Sequence, residues 1–299
     1  MISLRLILVC LLLFPFLSFS QATSPFVAYD YKSDPKYNNE LAELKRMEKK
    51  DPSLKNTYSL ADLSYYYKDW ETAIDYFEKL IKFSPTAENY LKLSAAAARK
   101  SLEVSRVFSV KYVIKARKAI LKAYEINPKN IEILKLLIKL YSEIPPILGG
   151  DSVFAKKKAK ELFEIDQIEG LIIMGYLNEI DENVEDAKLK YEAAFDFLKQ
   201  KAEPLEIYFQ ENDRDLVFEV GDIAARHSIN YELGIAALTF YADSYQFMDN
   251  YPLERVYFNL SRIYFDKQDL KRSRELLNKA LNVNPKFKLA LDFKKKHRL

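Results

Sequence analysis

The chain has 299 residues, 49% of them hydrophobic, and a formal net charge of +3. That apolar fraction excludes a chain too polar to bury a core. A charge so near balance creates no demand for a nucleic acid or an anionic membrane as partner. Glycine is scarce, at 6 residues, which suits long helices joined by short turns.

The first twenty residues differ from the rest. Arg5 supplies a positive charge, Leu6 to Leu17 is apolar throughout, and Ser18 and Ser20 place small residues where a signal peptidase needs them. Residues 1–20 read as a signal peptide cut before Gln21, so the expected location is outside the cytoplasm, in the periplasm, with secretion as the alternative. The apolar run is short for a span of roughly 20 residues, so a retained anchor is not expected. Cys10, the sole cysteine, lies inside that run rather than at the cleavage site. Lipidation is therefore not expected, and the mature chain would have no disulfide. No later run is long enough to span a bilayer, so the mature form reads as not membrane-spanning.

Residues 21 to about 34 read as extended. Asp34-Pro35 starts a helix, with an N-cap followed by proline at the first helical position. Leu41, Leu44 and Met47 share one face, and Asp51-Pro52 ends the helix. Segment 21–53 thus reads as an extended stretch and a capping helix.

Leu54 to Ala87 is a helical hairpin of 34 residues. Its first helix runs to about Tyr67, Lys68 to Trp70 make a turn, and the second helix carries Ala73, Phe77 and Leu80 before Pro85. Ala61 and Ala73 are small where two helices must cross closely. This spacing of small, apolar and proline positions resembles the tetratricopeptide repeat, whose period is about 34 residues.

Later segments repeat the pattern with varying fidelity. The second unit runs from about Glu88 to Asn130, with Ala95 to Ala98, then Ala116, Ile120 and Ala123. Pro85 to Pro128 spans 43 residues. The excess falls around Ser101 to Val110, as a longer first helix or an inserted loop. The third unit starts at Ile131 and contains Ile144 to Asp151, IPPILGGD. Proline stops a helix there, Gly149-Gly150 turns the chain, and Asp151 or Ser152 caps the next helix. That loop resembles the one in the TRAP-transporter-associated tetratricopeptide family.

The fourth unit, Ile168 to about Lys201, holds Gly175 and Ala187 at the crossing. Pro204 marks a break, and 204–213 reads as a linker. The fifth, Arg214 to Pro252, is degenerate. The sixth, Glu254 to Phe287, is regular, with Tyr257, Leu260, Ser261, Leu277, Ala280 and Pro285, and with Ser273 in the place of alanine. Repeats one to four thus occupy 54–203, repeats five and six 204–287, and a helix with a basic tail 288–299. The expected fold is all-α. The resemblance implies a right-handed superhelix of five to six paired-helix repeats with a concave groove.

In that family the first helix of each pair lines the groove. The resemblance therefore implies Tyr58, Asp62, Tyr65 and Tyr66 in unit one as groove residues. It implies Ile172, Tyr176 and Glu179 in unit four, and Phe258, Arg262 and Phe265 in unit six. Tyr and Arg offer contact area with a polar tip. Chemistry is sparse elsewhere. His227 sits at a helix end, where a cation meets the dipole, and His297 reads as solvated. Asp181 to Asp186 has calcium-loop spacing, but Asp186 stands where the loop needs glycine, so a helix-capping turn is expected and no metal. Gly149-Gly150 before a helix could cradle an anion, but Asp151 would repel it. No nucleotide fingerprint, nucleophile elbow or zinc-protease motif is present, and no cofactor is expected. The expected function is an exported, non-enzymatic protein that binds a protein or peptide in its groove, with no nucleic acid partner. The alternative is a small-molecule-binding component of an envelope transport system.

Overall fold

The computed structural model describes residues 34–201 and 213–299, together with Lys32, Phe209 and Gln210. The expected signal peptide at 1–20, most of the expected extended segment after it and most of the expected linker at 204–213 lie outside the described residues. The described residues form fourteen α-helices and no strand. In chain order they are α1 (Pro35–Lys50), α2 (Leu54–Tyr66), α3 (Trp70–Phe83), α4 (Ala87–Glu103), α5 (Arg106–Ile126), α6 (Ile131–Glu143) and α7 (Ser152–Ile165). There follow α8 (Gln167–Ile180), α9 (Val184–Lys201), α10 (Arg214–His227), α11 (Tyr231–Asp243), α12 (Leu253–Asp266), α13 (Leu270–Val283) and α14 (Lys288–His297).

Short polar residues set the boundaries. Asp34 caps α1, accepting from the amides of Lys36 and Tyr37, and Pro35 follows at the first position. Ser53, Asp69, Thr86, Asn130 and Asp151 each accept from an amide in the first turn of the next helix. Each such cap is worth about 1 kcal/mol. A single residue, Asp166, joins α7 to α8. Its amide donates to the Leu162 carbonyl at 2.8 Å, and its carboxylate accepts from the Glu169 amide at 3.0 Å.

Consecutive helices pack as hairpins, and the hairpins stack: α2–α3, α4–α5, α6–α7, α8–α9, α10–α11 and α12–α13. Small residues meet at the crossings. Ala61 and Ala73 are fully buried in the first hairpin, and Gly175 lies against the Tyr191 ring in the fourth. Two crossings carry serine with its hydroxyl satisfied. Ser94 Oγ donates to the Ala116 carbonyl at 2.9 Å, and Ser261 Oγ to that of Ser273 at 2.8 Å. Serine is thus tolerated where the facing helix offers a carbonyl. The all-helical solenoid expected from the sequence is what the chain builds.

The excess length of unit two is not an inserted loop. It extends both helices, α4 to 17 residues and α5 to 21, around a turn at Val104 and Ser105. In the IPPILGGD segment the amides of Gly149, Gly150 and Asp151 donate to the carbonyls of Pro146, Pro145 and Tyr141. These donors hold the turn and are not left for an anion. Gly149 has φ of 92°, and a Cβ on Gly150 would fall 1.7 Å from the Ile144 carbonyl oxygen, so both positions need glycine.

The stack curls far enough to touch itself. Lys68, in the left-handed region at the turn after α2, donates to the Asp249 carbonyl at 3.2 Å. The rings of Tyr67 and Phe247 lie 4.9 Å apart. The turn of the first hairpin therefore meets the loop before α12.

Candidate functional site

The first helices α2, α4, α6, α8 and α10 form the inner layer, and the seam at Tyr67–Phe247 closes it. Between them lies a cavity of about 1470 Å³. Its wall includes Tyr65 of α2; Leu91, Lys92 and Ala95 of α4; Leu136 and Lys139 of α6; Tyr176 of α8; and Asp215 and Glu219 of α10. Tyr251 and Arg255 complete it on the far side.

A charge cluster occupies one wall. Lys135 Nζ lies 2.9 Å from Glu169 Oε2 and 3.2 Å from Glu219 Oε2, and Lys139 Nζ lies 2.7 Å from Glu219 Oε1. Burial raises the Glu169 carboxyl above the ordinary range, against the pull of Lys135. Glu219 is also desolvated, but Lys135 and Lys139 together hold it below that range. Asp215 has no cation so close. Burial, then Asp213 and Glu219, push it up to about 6, although Asn250 Nδ2 donates to it at 2.8 Å.

An acid raised in the folded state destabilises that state once it ionises. Stability should therefore fall as pH rises from about 4 through about 6. Asp215→Asn should remove this fall, raising stability at pH 8 by about 1–2 kcal/mol once partial exposure is discounted, with no gain at pH 4. Thermal melts at the two pH values check it, and an equal gain at both would count against the assignment.

A second network runs along α8, α10 and α12. Asp222 accepts from Arg226 Nε at 2.8 Å, Arg255 Nη2 at 3.0 Å and Asn259 Nδ2 at 2.8 Å. Desolvation of Asp222 is outweighed by these partners, which hold its carboxyl far below the ordinary range. Glu179 takes Arg226 Nη1 at 2.6 Å and the His227 ring, which lies tilted against the Tyr191 ring at 4.9 Å.

The sequence-predicted groove residues disperse. Tyr65 and Tyr176 line the cavity. Tyr65 also packs edge-on to Trp70 and Phe77, and burial pushes its hydroxyl up to about 12. Tyr176 donates to Glu143. Tyr58, Asp62 and Tyr66 gather around Lys92, which pairs with Asp62 at 2.9 Å and lies 5.7 Å from each tyrosine ring. Ile172 is buried in the core, and Glu179 belongs to the second network. Phe258 and Phe265 meet the C-terminal helix instead, through Phe293 at 5.7 and 5.4 Å. The Arg262 guanidinium lies 5.9 Å from the Phe258 ring. His297, read as solvated, instead packs against Phe265 and Phe293. Asn183 caps α9 by accepting from the Asp186 amide at 3.3 Å, the capping role expected for that acidic segment.

Sequence reasoning missed the cavity residues of α4, α6 and α10, which lie in the irregular units. A signal was available: Lys135 and Lys139 are spaced i,i+4 on one first helix, and Asp215 and Glu219 on another.

Residues 254–287 match the profile of the tetratricopeptide repeat family. In fold, the chain is similar to a tetratricopeptide repeat protein from Parabacteroides merdae, at 12% identity and a TM-score of 0.51, over 90% of this chain and 94% of that one. It is also similar to a thermophilic tetratricopeptide repeat protein of Thermus thermophilus, at 19% identity and a TM-score of 0.42, over 54% of this chain and 82% of that one. A third similar structure is YrrB, a tetratricopeptide repeat protein with an unusual peptide-binding site, at 17% identity and a TM-score of 0.38, over 73% of this chain and 97% of that one. No curated protein matches the sequence. The repeat at 254–287 matches that family's profile, and the stacked hairpins before it share the fold of the Parabacteroides merdae protein. Among the described residues no helix is long and apolar enough to cross a membrane.

Proposed function

We propose that this is an exported, non-enzymatic tetratricopeptide protein that holds a peptide or an extended protein segment in its cavity. The observation that carries the reading is the cavity itself. At about 1470 Å³ it exceeds the about 300–1,000 Å³ of sites built for one small molecule. The apolar side chains Leu91, Ala95 and Leu136 alternate there with charged ones, as a segment with mixed side chains requires. More carboxylates than cations line the wall, which disfavours a nucleic acid. Export rests on residues 1–20, and their cleavage after Ser20 would deliver the fold to the periplasm.

A peptide library displayed against the chain from residue 21, followed by fluorescence anisotropy on the enriched sequences, tests the proposal. Leu91→Glu and Leu136→Glu place charge on the cavity floor without touching the ion clusters. Together they should weaken any selected peptide at least tenfold. Unaltered affinity in that variant would remove the cavity from the account. Stabilisation by an organic acid or sugar, with no peptide selected, would favour the transport-component reading instead.

A further inference from the structure

The tip of the second hairpin stands out from the stack. Nine residues of α4 follow the crossing at Ser94, whereas five of α2 follow Ala61. Ten residues of α5 precede Ala116, whereas three of α3 precede Ala73. At 1.5 Å per residue, α5 projects roughly 10 Å beyond its counterpart. What it carries there is apolar: Leu102, Val107 and Phe108 are 60%, 82% and 64% exposed. The next turn along this edge belongs to the third hairpin, whose 3-10 segment packs on α5. It adds Ile147 and Val153, 92% and 76% exposed.

Charge on this edge departs from the near balance of the whole chain. Between residues 99 and 118 there are seven Lys and Arg and one carboxylate, Glu103. Glu103 is already engaged by Lys100 at 3.8 Å, and Lys100 also reaches Glu71 at 3.3 Å. Arg106 and Lys111 are exposed and, among the described residues, form no ion pair. The edge is thus a convex apolar apex flanked by two unneutralised cations, Arg106 and Lys111, while Lys100 and Lys115 nearby are paired with carboxylates.

We propose that this apex docks on an anionic lipid surface. A protein partner would need a matching hollow for a projecting tip, whereas a bilayer accepts it without one. Leu102, Val107 and Phe108 enter the interfacial layer, while Arg106 and Lys111 stay at the level of the lipid phosphates. An exposed apolar patch with a polar rim marks an interaction site, and a membrane surface is one of the partners it fits. Leu102 also belongs to the cavity lining, so docking brings the turn edge of the cavity to the lipid surface.

Flotation with vesicles tests this, using the chain from residue 21 so that the apolar leader cannot contribute. Vesicles of phosphatidylcholine with about a third phosphatidylglycerol should carry the protein at least tenfold better than phosphatidylcholine alone, with loss in 0.5 M salt. Val107→Asp combined with Phe108→Asp should abolish flotation while leaving the melting curve unchanged, because both side chains are exposed. Phe108→Trp adds a reporter whose emission should shift to the blue on anionic vesicles. The proposal is overturned if the wild type ignores anionic vesicles, if the double variant floats equally, or if the reporter stays unshifted. Concentration-dependent dimers that depend on Val107 and Phe108, without vesicle binding, would also overturn it.

Discussion

Lys135→Met should destabilise the protein by about 3–5 kcal/mol at pH 7, the cost of leaving buried charge unpaired. Lys135 is 9% exposed at its side chain, and it bridges Glu169 at 6% and Glu219 at 12%. Without it Glu219 keeps Lys139, but Glu169 keeps no cation. Burial already raises Glu169, so the variant should raise it further. Protonation then relieves the defect as pH falls through that raised value, and the loss should be smaller at pH 5 than at pH 8. Adding Glu169→Leu to Lys135→Met should recover most of the loss, because an apolar pair replaces an orphaned carboxylate. Urea titrations at the two pH values read all of this. A loss under about 1 kcal/mol at both would mean that water reaches the cluster freely.

Gly170→Ala is the second large effect expected. A Cβ there would fall 2.3 Å from Phe163 Cα and 2.7 Å from Phe163 N. Both atoms are backbone, held by the one-residue corner at Asp166, so no rotamer change relieves the clash. A cost near the upper end of the overpacking range, about 3 kcal/mol, is expected, against about 1 kcal/mol gained in helix propensity. Gly221→Ala is the informative comparison. Its Cβ would meet the Leu238 side chain at 2.2 Å, and a side chain can turn away. Gly221→Ala should therefore melt well above Gly170→Ala. Equal melting temperatures would show that the corner is looser than its geometry implies.

The sequence carried the class of fold because local rules set it. A small residue at a crossing, a cap at a boundary and a proline after a second helix act over a few residues. Ala61, Ala73, Asp34 and Pro85 all sit where those rules require. The cavity was less legible. Tyr65 and Tyr176 were found through the regular repeats, but Lys135 and Glu219 lie in units whose spacing is disturbed. Phe258 illustrates a different limit. Its register is that of a groove residue, but the chain's own last helix covers it, and register within one repeat is blind to a helix packed on from outside. The contact between Lys68 and Asp249 spans 181 positions, and no periodic pattern encodes it.

Where the chain meets itself, it stops behaving like a spring. In an open stack each layer answers only to the ones beside it, so damage at one end fades along the row. Here the hook at Tyr67 and Phe247 joins two distant layers, and loosening the first hairpin also loosens the loop before α12. Tension applied at the two ends would have to undo that hook before the coil could lengthen. The protein should therefore resist small pulls stiffly, then give way in a step and stretch softly afterwards.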